Sequence, residues 1–567
     1  MSYDLKTIHA PRLTGFPLRS AAALLDHALT KPLLVPTLLE STGIPAFRQT
    51  RLEEAPSVVP PLAHGAPAAA SAASIDLAAV AGAPSAPDFP FETVADFVHA
   101  YRERTRSPEE VAERVIEAIA ASNDRDPPLR AMVQCHEDDL RAQARQSAER
   151  HRQGTPLSVF DGVPVAVKEE LDVAGYPTTA GTSFLTEVAK ADARAVAKLR
   201  AAGALLIGKA NMHEVGIDTT GFNAHHGTTR NPYDPTRYPG GSSSGPAAAV
   251  SAGLCPVAVG ADGGGSIRIP ASLCGVVGLK ATFGRVSEAG AFPLCWSVGH
   301  VGPIGATARD AALAYALMAG VDERDPHTLG QPPVALPGLE NGVGGLKLGV
   351  YRPWFEDADA EVVRVCQTLV DRLVEAGAEV VEVELCDLEL GRLAHGITIL
   401  AEMATTLDRF DREHRGAYGL AVRLNLALAR ELSARDYVRA QQVRTRLAAQ
   451  VDKALARADV LVTPAAAIVA PPIGADALKG GESNLEVTSA LMRFAFLANL
   501  TGHPALSFPA GYAMSGLPVG LQVMGRAWDE ARLFQVALFA EKLVQRQAPR
   551  WSYRFLPGEA APAKKAG

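Results

Sequence analysis

The sequence predicts an α/β protein built on a large, mixed, mostly parallel, twisted sheet with helices covering both faces. Three stretches carry that expectation. Residues 192–202 read as a helix running into the apolar strand Ala204-Leu205-Leu206-Ile207, closed by Gly208. A helix over 360–376 leads into the strand Glu379-Val380-Val381-Glu382-Val383. Asp459-Val460-Leu461-Val462 reads as a further buried strand, ending at Thr463-Pro464. Strands alternating with helices return through crossovers, and crossovers put helices on the faces of a parallel sheet.

Taken in order, residues 1–55 read as a small helical N-terminal extension. Leu18, Ala21, Ala22, Leu25 and Ala28 recur there at helical spacing, with Arg19, Asp26 and His27 between them. Such a helix packs on the main body; a second reading puts it at a substrate entrance or on a membrane surface. Residues 56–90 are rich in Ala and Pro and poor in charge, the composition of a linker or an extended wrapping segment. The main domain is expected over 91–557. Near its start Ser107, Pro108 and Glu110 form a capping box with proline at the first helical position, and Val111, Val115 and Ile119 follow on one face. Residues 558–567 read as a flexible tail. No internal repeat is visible.

Composition narrows the function classes. The 567 residues carry 55 Lys plus Arg against 62 Asp plus Glu, a net charge of −7, which offers no basic footprint for nucleic acid. With 47% hydrophobic residues the chain can bury a large core. Six dispersed cysteines, without a CxxC pair or a Cys/His cluster at zinc spacing, read as reduced and mostly buried. The opening residues lack the basic and apolar regions of a secretory signal, and no apolar run approaches the roughly 18 residues of a spanning helix. The expected location is therefore cytoplasmic, with peripheral contact at a membrane surface compatible with the pattern.

Glycine and serine concentrate in two segments. Tyr238-Pro239-Gly240-Gly241-Ser242-Ser243-Ser244-Gly245 is followed by an Ala-rich run, and then comes Asp262-Gly263-Gly264-Gly265-Ser266-Ile267-Arg268-Ile269-Pro270. Serial glycines cost backbone entropy, so a packed enzyme keeps them where backbone must approach something closely. Consecutive glycine N–H groups ahead of a serine can converge on one oxygen, as an oxyanion hole requires. Other motifs fail on context. Gly241 to Gly245 matches the GxSxG elbow, but turns stand where its strand is needed. Gly203 to Lys209 approaches a phosphate loop, but Ala210 replaces the hydroxyl and Ala204–Ile207 is strand. His213-Glu214 lacks a second His four residues on, and His225-His226 lack a third ligand nearby, so no metal site or cofactor is predicted.

These residues resemble the amidase signature family. The two segments, with Ser266 standing 24 residues after Ser242, follow its pattern. So do Gly162-Val163-Pro164-Val165-Ala166-Val167-Lys168, Gly208-Lys209-Ala210-Asn211-Met212, the Asn231-Pro232 turn and Gly516-Leu517-Pro518-Val519-Gly520-Leu521-Gln522. Within the family, Ala10-Pro11-Arg12-Leu13-Thr14-Gly15, Gly481 to Thr488 and Leu521 to Arg526 are similar to the plant fatty acid amide hydrolases. The resemblance implies the amidase signature fold, hydrolysis of a carboxamide, Ser266 as nucleophile, Ser242 as proton shuttle across a cis Gly241–Ser242 bond, and Lys168 as base. The nearer likeness implies fatty acid amides or N-acylethanolamines as substrates, a homodimer, and an acyl-chain entrance formed with the N-terminal extension.

The chemistry suits the residue types. Amide cleavage needs a nucleophile, a proton acceptor, an oxyanion site and an acid for the poor amine leaving group. The N–H groups of Gly263, Gly264, Gly265 and Ser266 are the expected oxyanion donors, with Ser243 expected near the lysine. Asp262 and Arg268 are expected to brace the loop. Lys168 acts as a base only when neutral, and its apolar approach from Val163 to Val167 provides the burial that lowers an amine's pKa. Glu169 and Glu170 would oppose this, so their side chains are expected to point away or pair elsewhere. The alternatives are an amidase for short aliphatic, aryl or peptide amides, a glutaminase component of a tRNA-dependent amidotransferase, and, most remotely, a non-catalytic binding protein on the same fold.

Overall fold

A computed structural model describes residues 3–26, 39–40, 42–62 and 75–556. The expected tail over 558–567, the middle of the Ala/Pro-rich stretch (63–74) and Ala28 of the first helical pattern lie outside the described residues. In chain order the strands are β1 (Leu13–Thr14), β2 (Met132–Gln134), β3 (Pro164–Lys168), β4 (Leu205–Ala210), β5 (Val257–Ala261), β6 (Val277–Lys280), β7 (Val301–Gly305), β8 (Lys347–Val350), β9 (Glu379–Glu382), β10 (Val460–Pro464), β11 (Glu482–Ser483), β12 (Ala505–Tyr512) and β13 (Pro518–Gly525).

Eleven of these form one mixed sheet in the order β2-β4-β3-β5-β7-β6-β12-β13-β10-β8-β9. Helix–strand alternation gives parallel ladders where it was legible, at β4–β3–β5 and at β10–β8–β9. The sheet is mixed, as expected, but the expectation that it is mostly parallel is corrected by the remaining six ladders, which are antiparallel. The physical reason is the connections. β12 and β13 are joined by a tight turn in which Gly516 N–H donates to the Ala513 carbonyl, and β6 reaches β7 through a loop. Neither link contains the helix that a parallel return needs. The capping box at Ser107 forms as expected and opens the helix Pro108–Asn123. At the far edge, β9 exposes Glu379 and Glu382, charges that discourage a further strand from pairing.

Three helices were not visible in the strand pattern: Leu388–His414, Leu420–Ala429 and Ala434–Leu455, the last packing on β10. The first and third pack along each other over a second apolar core that includes Leu393, Ile397, Leu447 and Phe496. The N-terminal segment docks on this layer. Its helix Gly15–Asp26 buries Leu18, Ala22 and Leu25 and packs on Leu420–Ala429. Just before it, β1 pairs antiparallel with β11, Leu13 opposite Ser483 and Thr14 opposite Glu482. In the Ala/Pro-rich stretch, Ser57 N–H donates to the Gln441 carbonyl, and the short helix Leu77–Ala81 packs on Ala308–Met318. Among the described residues no helix is long and apolar enough to cross a membrane.

Candidate active site

The site is assembled at the ends of the neighbouring parallel strands β3 and β5. Their ladder runs Val165–Val257, Ala166–Ala258 and Val167–Val259, leaving Lys168 at the end of one strand beside the last residues of the other. All of β3 is buried, so the lysine side chain leaves the strand inside the protein. The helix Ser244–Ser251 leads back into β5, and every one of its residues is buried. Gly245 is required at its start: a Cβ there would lie 2.3 Å from Asn211 N and 2.4 Å from the Ala131 carbonyl oxygen. The Gly241–Ser242 bond just before the helix is cis.

Lys168 and Ser242 meet. Lys168 Nζ lies 2.9 Å from Ser242 Oγ and 3.1 Å from the Ala261 carbonyl oxygen, and both side chains are buried. Ser243 Oγ donates to the same Ala261 carbonyl at 3.1 Å, putting it beside the lysine as expected. Ser266 joins through its backbone, its carbonyl accepting from Ser243 N–H at 3.2 Å. Among the described residues its Oγ has no hydrogen-bond partner, so the side-chain chain from 168 to 266 is closed at one link and open at the other.

The glutamates differ from each other. Glu169 pairs elsewhere, as expected, accepting from Thr179 Oγ1 at 2.7 Å. Glu170 does not point away: its Oε1 lies 3.2 Å from Lys168 Nζ. The reason is the turn after β3, where Leu171 N–H donates to the Lys168 carbonyl and folds residue 170 back over residue 168. Burial pushes the Lys168 pKa down, and the adjacent Glu170 carboxylate partly restores it; the net shift is downward.

The loop after β5 is held by a buried ion pair. Arg268 Nε and Asp262 Oδ2 are 3.0 Å apart, Asn499 Nδ2 donates to Asp262 at 2.9 Å, and Arg268 also donates to Gln522 Oε1 at 2.7 Å. Burial alone would raise the Asp262 pKa, but the Arg268 charge and these hydrogen bonds hold it far below the usual carboxylate range. Asp262 and Arg268 are thus joined in a buried ion pair across the loop. Of the four expected oxyanion donors, the N–H groups of Gly263, Gly264 and Ser266 have no partner among the described residues. Gly265 is a correction: its N–H donates to Asp262 Oδ1 at 2.6 Å, because a φ of +117° turns it inward toward the brace.

Two cavities flank this loop. One has mixed walls, with Lys168, Glu170, Ser242 and Asp262 facing Phe292, Leu294 and Trp296. The other is apolar, and its walls include Ile217, Ile399, Leu400, Met492 and Phe496. Leu5, Ile8 and Ile44 of the N-terminal extension complete it. Sequence reasoning missed this cavity and its polar wall residue His395, since a lone histidine on a long helix carries no motif. It also missed Asn499 and the position of Glu170. The motif residues left out of the chemistry are accounted for: His225 Nε2 sits 2.9 Å from Glu214 Oε1, and the His213 N–H donates to the Ser242 carbonyl.

Known proteins agree with this architecture. The amidase family matches residues 110–534. A fatty acid amide hydrolase of Oryza sativa subsp. indica is 38% identical over 97% of this chain and 95% of its own length. That of Arabidopsis thaliana is 38% identical over 96% of this chain and 94% of its own. The solved structure of a bacterial aryl acylamidase of the amidase signature family superposes with a TM-score of 0.72 at 28% identity, covering 80% of this chain and 96% of that one. The mixed sheet, the two glycine–serine loops in order and these matches lead to one conclusion: the chain belongs to the amidase signature family of amide hydrolases.

Proposed function

We propose that this amidase hydrolyses fatty acid amides, N-acylethanolamines among them, to a fatty acid and an amine, with Ser266 as nucleophile, Ser242 as shuttle and Lys168 as base. The observation that carries the substrate reading is the apolar cavity whose wall residues Ile399, His395 and Met492 abut Gly263 and Gly264, closed on one side by the N-terminal extension. Its lining is mostly apolar, which suits an acyl chain. The relatives named above as fatty acid amide hydrolases support it, their match taking in most of that extension.

Lys168 Nζ has three near acceptors: Ser242 Oγ, the Ala261 carbonyl and Glu170. A neutral amine has two N–H groups and one lone pair. It donates to Ala261 and Glu170, and its lone pair accepts the Ser242 hydroxyl proton. Ser242 then accepts the proton of Ser266 as Ser266 Oγ bonds to the amide carbon. The Gly263, Gly264 and Ser266 N–H groups receive the developing oxyanion. The C–N bond breaks as the proton returns through Ser242 to the leaving nitrogen. Water, deprotonated along the same path, cleaves the ester and frees the acid. The open Ser242–Ser266 link fits a resting enzyme, in which catalytic hydrogen bonds often tighten only with substrate present. By analogy with the plant enzymes the active form is a homodimer, and the exposed Phe16 on the first helix is suited to peripheral contact with a membrane.

The test is a substrate panel of oleoylethanolamide, acetamide and glutamine. A higher kcat/KM on acetamide or glutamine than on oleoylethanolamide would remove the fatty-amide reading.

A further inference from the structure

His395 belongs to neither glycine–serine motif, yet it touches the loop that carries the oxyanion donors. It sits on the inner face of the helix Leu388–His414 and is only 2% exposed. Its Nε2 lies 2.7 Å from the Gly263 carbonyl oxygen. A carbonyl only accepts, so Nε2 carries the proton and the ring donates. The ring also packs on the next residue: a Cβ at Gly264 would lie 2.8 Å from His395 Cε1 and 2.8 Å from Met492 Cε. His395 and Met492 are both walls of the apolar cavity.

The consequence follows from peptide geometry. The Gly263 C=O and the Gly264 N–H belong to one planar trans unit, so they point in opposite directions. Fixing the carbonyl on His395 aims the N–H away from the helix. That N–H has no partner among the described residues. A Gly-Gly peptide has little side-chain resistance to reorientation, so its direction must come from outside the loop. We propose that His395 is a positioning residue, locking the Gly263–Gly264 peptide so that the Gly264 N–H faces the reacting carbonyl oxygen. Because the same ring walls the apolar cavity, an acyl chain packed there holds the lock in place. The inference rests on the reading of the glycine loop as the oxyanion site. Burial, opposed in part by the Gly263 hydrogen bond, pushes the His395 pKa down to about 4, so the ring stays in the neutral form through the working range.

The test compares His395→Phe, which keeps the ring and loses the donor, with His395→Gln, whose amide nitrogen can replace Nε2. Expected for His395→Phe is a kcat about 10- to 100-fold lower on both oleoylethanolamide and acetamide, part of the loss known for deleting one oxyanion donor. KM, the acid limb of the pH profile and the melting temperature should change little. Binding of a long-chain trifluoromethyl ketone, whose adduct oxygen needs the donors, should weaken in parallel with kcat. His395→Gln should recover most of the loss. A His395→Phe enzyme with wild-type kcat, or a His395→Gln enzyme as poor as it, overturns the proposal. Should His395→Phe lack a cooperative melt, His395→Asn, whose amide is too short to reach Gly263, takes its place. In the wild type, imidazole ¹⁵N shifts must report the neutral Nε2–H tautomer near pH 7; the Nδ1–H tautomer would equally overturn it. A wild type active only on acetamide would sink the fatty-amide reading while leaving the His395 comparison readable on that substrate.

Discussion

Lys168 stands between two opposed influences, and under the proposed mechanism their balance sets where the enzyme works. Burial favours the neutral amine; Glu170 at 3.2 Å favours the charged one. As the proposed base, Lys168 works only in the neutral form, so activity should rise with pH through its ionisation. Glu170→Gln removes the restoring charge, and the acid limb of kcat/KM should move to lower pH. A limb that moves upward or stays in place would assign it to another group. Lys168→Ala should lose the limb altogether. Ser266→Ala should cost on the order of 10⁴- to 10⁶-fold in kcat, as nucleophile deletions do elsewhere, and abolish labelling by a fluorophosphonate probe. Persistent labelling of that variant would put the nucleophile elsewhere. At this scale the sequence was most legible where function constrains spacing: residues 168, 242 and 266 stand in recognisable motifs, and Lys168 and Ser242 do meet. Glu170 was misread because its direction depends on the turn to Leu171, which no periodicity announces. The inward turn of the Gly265 N–H toward Asp262 was equally invisible, since the sequence does not say where a glycine's φ will lie.

Whole elements explain why two distant sequence segments matter together. The segments around Leu13 and around Glu482, each noticed only as a likeness, are the two strands of one ladder. Arg12 Nε lies 2.5 Å from Glu482 Oε2, and the Tyr238 hydroxyl donates to Glu482 Oε1 at 2.8 Å, so the extension is tied to the loop that carries Ser242. Upstream of β1, Leu5 and Ile8 wall the apolar cavity. Deleting residues 1–14 should therefore raise KM for oleoylethanolamide severalfold, each CH₂ returned to water costing about 0.8 kcal/mol, and leave kinetics on acetamide nearly unchanged. Equal losses on both substrates would make the strand a general stabiliser. The brace gives a contrasting result. Asp262→Ala leaves the Arg268 guanidinium unpaired in the core, which should cost about 3–5 kcal/mol of stability and is read as a fall in melting temperature. Element types were legible wherever a strand met a helix in sequence. The antiparallel centre was not, because hairpin and loop returns leave no periodic signature, nor was the helical layer over 388–455 that walls the cavity.

The molecule as a whole is held together by buried charges as well as by apolar packing, and this gives its stability a pH dependence separate from that of catalysis. Asp310 and Glu541 lie where the segment 75–102 crosses the body of the protein. Asp310 accepts from Val94 N–H at 2.8 Å and caps the helix Ala308–Met318, while Glu541 accepts from Ala308 N–H at 3.0 Å. Both line one cavity with Ser85, Phe89 and Arg546. Burial raises the Asp310 carboxyl to about 7 despite its hydrogen bonds, and burial raises Glu541 to about 7 despite Arg546. A carboxyl whose folded pKa exceeds its unfolded value holds its proton more tightly in the native state. Its stabilising contribution is complete below about pH 4, near the unfolded values, and is lost as pH rises through 7. Neutral buried histidines such as His395 act in the opposite sense, weakening the fold as pH falls below about 6.5. The two effects overlap in the wild type, so the carboxyl contribution is isolated by difference. Asp310→Asn keeps the shape of the cap and removes the ionisation. Its melting temperature should fall less than that of the wild type between pH 5.5 and 8.5, while kcat/KM keeps its profile, because this pair sits away from the glycine–serine loops. Parallel melting curves over that range would mean that Asp310 stays ionised in the native protein and that the junction with the 75–102 segment carries no protonic strain.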